Sequence, residues 1–64
     1  MGHHRFSVRL LDELPSPQRE VLTLRLINGL SSKDVAAELG IDVILVRRIQ
    51  QQGLLQIRRS LHSA

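Results

Sequence analysis

Apolar residues recur along the 64-residue chain at helical rather than alternating spacing, in four groups separated by proline, glycine or a capping side chain. Phe6, Leu10, Leu11 and Leu14 fall at i, i+4, i+5 and i+8, a stripe that Pro15 ends, which predicts a first helix over about 6–14. Ser16 followed by Pro17 offers a cap and then proline at the first helical position. Val21, Leu22, Leu24, Leu26 and Ile27 continue the pattern until Asn28-Gly29, so a second helix is expected over 17–28. Ser31 with Asp34 three residues later matches a capping box ahead of Val35, Ala36 and Leu39, and Gly40 closes a two-turn third helix over 32–39. Asp42 is a good N-cap for the longest helix, over 43–60, with its inward stripe expected at Val46, Ile49, Leu54, Ile57 and Leu61. Gly53 lies inside that last helix at a cost of up to about 1 kcal/mol relative to Ala, so either the backbone is closely approached there or the helix tolerates a weak point.

Connections of two to four residues leave room for one compact domain, an all-α four-helix fold over residues 5–64. Met1-Gly2-His3-His4 reads as a start codon with a tag-like scar and is set apart, with no metal or cofactor expected. Within the domain, Val35, Ala36, Leu39, Gly40, Ile41, Val46 and Ile49 are spaced as two helices crossing at a tight turn require. Ala36 is small where the second helix comes close, Gly40 can take the left-handed turn, and Ile41 plugs the corner. That is a helix-turn-helix.

Size and composition remove other classes. A chain of 64 residues buries only about 60% of its unfolded surface, which leaves no room for a deep substrate cavity. The histidines beyond the scar reduce to His62, and no nucleophile with a nearby base is apparent, so no enzyme is expected. Without cysteine there is no disulfide scaffold and no thiolate zinc site. Phe6 is the only aromatic residue, against the stacking platforms of single-strand and RNA binders. The longest apolar run, Val43 to Val46, is far short of a membrane span and no signal peptide opens the chain, so a cytoplasmic domain is expected.

Charge points to a partner. Residues 1–42 hold five basic and six acidic side chains, whereas 43–64 hold Arg47, Arg48, Arg58 and Arg59 with no acid. A basic helix at the recognition position is the electrostatic footprint of a duplex-DNA binder, the alternative being a solvated basic face. At 100° per residue with Val46 inward, the outward face collects Ile44, Arg48, Gln51, Leu55 and Arg59, flanked by Arg47, Gln52 and Arg58. Arg48 and Gln51 suit guanine and adenine edges in the major groove, while Arg47, Arg58, Arg59 and Lys33 suit phosphate. Ile44, Leu45 and Leu55 form an outward apolar strip, fitted to thymine methyl groups or to a protein partner.

Leu14-Pro15, Gln18-Arg19-Glu20-Val21-Leu22, Gly29-Leu30-Ser31, Val35-Ala36 with Leu39-Gly40-Ile41, and Val46-Arg47 through Leu54 to Ile57-Arg58 together resemble region 4 of bacterial sigma factors. The similarity covers Leu10 to Leu61. It implies a domain that binds the −35 promoter element as double-stranded DNA while docked on the flap of the RNA polymerase β subunit. It also implies sequestration by anti-sigma factors, and core-binding and promoter-melting domains lying upstream. By position, Asp42 to Gln52 would carry the recognition helix, with Arg47 and Arg48 where the family often meets DNA. Val43, Ile44 and Leu45 stand where many members place polar readers. Two alternatives stay open: a LuxR-type response-regulator effector domain, which shares the Arg-Glu-Val-Leu helix and the Gly-Leu-Ser turn, and a region 4-like module acting mainly as a protein-interaction surface.

Overall fold

The computed structural model describes residues 10–63, so Phe6 and positions 7–9 of the expected 6–14 helix lie outside the described residues, and within them that helix ends at position 12 rather than 14. Within them the chain is all-α. Positions 10–12 are helical and lead to α1 (Gln18–Leu22), which runs directly into a π-helical turn, Thr23–Ile27. After a short loop come α2 (Ser32–Leu39) and α3 (Val43–Ser63). The 21 residues of α3 make a rod of about 31 Å at 1.5 Å per residue, close to the 34 Å longest dimension of the molecule. The other elements pack along its side.

Caps set most of these boundaries. The Ser31 hydroxyl accepts the Asp34 N–H at 3.1 Å, and Asp42 Oδ1 accepts the Ile44 N–H at 2.9 Å, so both helices of the helix-turn-helix begin where their capping residues predict. Gly40 ends α2 with φ +68°, a left-handed conformation that costs glycine no Cβ clash, and the Ile41 N–H reaches back to the Ala36 carbonyl at 3.0 Å. This closes the turn.

The start of α1 departs from expectation. Ser16 does not cap the helix; its hydroxyl donates to Glu20 Oε2 at 3.0 Å, and the helix begins at Gln18, one residue after Pro17. Glu20 receives its own backbone N–H as well, and these bonds, with the nearby Arg19 charge, hold its carboxyl below the usual range. The group is fully exposed, so its small contribution is present above the unfolded pKa and lost as pH falls through the folded one.

The second expected helix is also not α-helical to its end. The Asn28 N–H bonds the Thr23 carbonyl five residues back at 3.1 Å, the mark of a π turn, and the Leu30 N–H bonds the Leu24 carbonyl at 3.0 Å. Leu26 and Ile27, assigned to the apolar stripe by their hydropathy, are exposed. One turn after Val21 and Leu22 the half-buried places belong to Leu24, which packs on the core, and to Arg25.

Two aliphatic clusters hold the fold. Val21, Val35, Ala36, Val46 and Ile49 form the core of the helix-turn-helix, flanked by Leu24, Leu30, Leu39, Ile41 and Val43. Leu11, Leu14 and Leu22 form the other, with Ile57 against them. The inward stripe of α3 is therefore Val46, Ile49, Gly53 and Ile57, and Leu54 and Leu61 are exposed rather than buried. Gly53 decides that register: a Cβ there would stand 2.7 Å from Leu22 Cδ1 and 3.4 Å from Gln18 Cβ, so its absence lets α1 lie against α3. Of the two explanations for Gly53, close approach is the one observed.

Candidate nucleic-acid interface

The interface is built by the anchoring of α3. Val46 and Ile49 are buried against Val21, Val35 and Ala36, and this fixes which side of the helix faces outward. Arg47, Arg48, Gln51 and Gln52 all lie exposed over the second and third turns of α3, and Arg58 and Arg59 continue the basic side two turns further on. Lys33 is exposed in the first turn of α2, next to the Ser31 cap. The structure thus presents all seven polar residues predicted from sequence on the surface of the two-helix unit. Six of them share one helix.

α3 carries four arginines and no acidic side chain. An α-helix can enter the roughly 12 Å wide major groove of B-DNA, where arginine suits guanine or phosphate and glutamine suits adenine. The three side chains of the expected apolar strip are exposed as well. Ile44 is 65% exposed, Leu45 41% and Leu55 50%, although Leu45 sits well around the helix from the other two. Leu55 lies in a shallow groove with Arg58, Arg59 and His62. An isolated histidine carries no periodic signal in the sequence; His62 lines this groove with the two arginines because α3 extends to Ser63, past the expected end at residue 60.

Sequence reasoning also missed two residues behind the exposed face. Arg25 Nε donates to Gln50 Oε1 at 3.0 Å, and Arg25 Nη1 donates to the Leu30 carbonyl at 2.6 Å. A second groove, lined by Asp12, Arg19, Glu20, Thr23, Leu24, Glu38 and Leu39, uses no residue of α3 and is acidic where α3 is basic. Among the described residues no helix is long and apolar enough to cross a membrane.

Comparison with known proteins agrees with this geometry. Residues 8–57 match the family model described as sigma-70, region 4. The chain is 38% identical over 55 residues to the ECF RNA polymerase sigma factor SigD of Mycobacterium tuberculosis, and equally to that of Mycobacterium bovis. The match covers 86% of this chain and 26% of each relative, so the chain spans about a quarter of their length. Between region 4 and a LuxR-type effector domain, the family match decides for region 4.

Proposed function

The chain belongs to the sigma-70 region 4 family, helix-turn-helix DNA-binding domains of transcription regulation, and from that premise we propose that α3 reads the −35 element of promoter DNA during transcription initiation. In this reading the first turns of α3 enter the major groove. Arg48 and Gln51 contact base edges, while Lys33, Arg47, Gln52, Arg58 and Arg59 hold the phosphates that set register. The observation that carries the proposal is the exposed row Arg47, Arg48, Gln51 and Gln52 on a helix whose opposite face is fixed by buried Val46 and Ile49.

The domain would act within a longer sigma factor, docked on the β-subunit flap of RNA polymerase and open to sequestration by an anti-sigma factor. The description of the relatives as RNA polymerase sigma factors, about four times the length of this chain, supports the longer protein and the polymerase. The 65% exposure of Ile44 favours a second role for the same helix, in which Ile44, Leu45 and Leu55 meet a protein partner.

Selection of bound duplexes from a randomised pool, read by fluorescence anisotropy at two salt concentrations, tests the DNA reading. A short motif is expected to be enriched, with affinity falling as salt rises. Arg48→Ala is expected to weaken binding to the enriched duplex by roughly tenfold and to relax preference at one position. Binding without enrichment, or an Arg48→Ala protein indistinguishable from the original, contradicts it. Ile44→Asp separates the two roles: loss of a polymerase or anti-sigma complex with duplex binding intact assigns the strip to protein.

A further inference from the structure

Three parts of the helix-turn-helix meet at one side chain. Arg25 lies half-buried in the π-helical turn, where its Nε donates to Gln50 Oε1 at 3.0 Å and its Nη1 donates to the Leu30 carbonyl at 2.6 Å. Gln50 belongs to α3, between buried Ile49 and exposed Gln51. Leu30 immediately precedes Ser31, the cap of α2. The guanidinium therefore ties the helix before the motif, the start of its first helix and the middle of its second.

Both acceptors are neutral amide oxygens, so what the arginine contributes is direction. A planar guanidinium offers its donors in a fixed fork, and satisfying two acceptors at once fixes the orientation of both. The aliphatic contacts around it carry no such directionality. A roll of α3 by about 15° about its own axis, at a helix radius of about 5–6 Å, moves side-chain tips by roughly 1.5 Å. A bidentate bond to a base edge tolerates only about 0.5 Å.

We infer that Arg25, through Gln50, sets the roll of α3 about its axis and is a positioning residue for base reading by Arg48 and Gln51. The inference rests on the DNA reading proposed above. Gln50 lies two residues after Arg48 and one before Gln51, so fixing its side chain fixes the phase of both. Arg25 itself points toward protein acceptors and touches no base in this account.

The test compares the whole chain with Arg25→Met, Gln50→Met, the double variant and Arg25→Lys. Affinity is measured for the duplex enriched by selection and for a scrambled duplex, across a salt series. Each Met variant is expected to lower the ratio of the two affinities by about tenfold, the double variant to lower it no further, and the slope of log K against log salt to stay unchanged. Arg25→Lys keeps the charge without the fork and is expected not to restore the ratio. A retained ratio in Arg25→Met, additive losses in the double variant, or full rescue by Lys each overturns the inference. So does a slope reduced by about one, which would make Arg25 a phosphate contact. Gln50→Met removes the same bond while leaving the Leu30 contact in place, so it decides the matter if Arg25→Met does not fold. If the original chain shows no preference between duplexes, the DNA reading itself fails; residual dipolar couplings of the α3 amides in the free proteins then show separately whether Arg25→Met changes the roll.

Discussion

Replacing Leu22 by Ala is expected to destabilise the domain by about 2–5 kcal/mol, the range for truncating a fully buried leucine whose surroundings cannot collapse into the space. Leu22 is 0% exposed, packs with Leu11 and Leu14 beside Ile57, and fills the space over Gly53. It therefore joins the segment before α1 to the C-terminal half of α3. A 64-residue domain has a total stability of roughly 3–10 kcal/mol at 0.05–0.15 kcal/mol per residue, so this one change removes a large share of it. Urea unfolding followed by far-UV circular dichroism measures the loss, and thermal unfolding should shift downward by roughly 15–35 °C. Leu55→Ala is the control: Leu55 is 50% exposed and should change stability by no more than about 0.5 kcal/mol. A Leu22→Ala loss no larger than that of Leu55→Ala would mean that the cluster under α3 contributes little.

Gly53→Leu is expected to cost about 3 kcal/mol, with Gly53→Ala close to neutral. Two effects oppose each other at this position. Removing a helix-interior glycine gains up to about 1 kcal/mol of helix propensity. A Cβ, however, meets Leu22 Cδ1 at 2.7 Å and Leu22 Cγ at 3.3 Å, and although these belong to a side chain that can shift, Leu22 is wholly buried and has little space to shift into. For alanine the two effects nearly cancel. For leucine three further carbons enter a filled contact, and overpacking wins by separating α1 from α3. Comparing the two variants by thermal unfolding checks the sign: a stabilised Gly53→Leu would show that α1 and α3 are not held at this distance.

The helix-turn-helix was the most legible part of the chain because its signals are local. Ser31 and Asp42 accept backbone N–H groups two or three residues on, Gly40 closes its turn onto Ala36, and Val35, Ala36, Val46 and Ile49 sit at regular spacing, so both motif helices begin where those residues place them. Along α3 the expected stripe holds at Val46, Ile49 and Ile57 and fails at Leu54 and Leu61 for a simple reason. Hydropathy assigns weight to Leu54 and Leu61 and none to glycine, yet the inward position belongs to Gly53, and its leucine neighbour turns outward. The π turn was invisible for a related reason: a 3.6-residue template cannot register one extra residue, and a half-buried place is taken by a charged Arg25 whose partners, Gln50 and Leu30, are set by tertiary contact. Of the candidate site, the exposed basic row was readable from charge and helical phase alone, whereas the groups that hold it in place were not.

That α3 presents its outward face to DNA is tested most directly by adding a short duplex of randomised sequence, at low salt, to the isotopically labelled chain and following backbone amide shifts. The largest changes are expected at Lys33, over Val43 to Gln52, and at Arg58 and Arg59. Changes confined to the acidic groove around Asp12, Glu20 and Glu38, or no change at any duplex concentration, would contradict it.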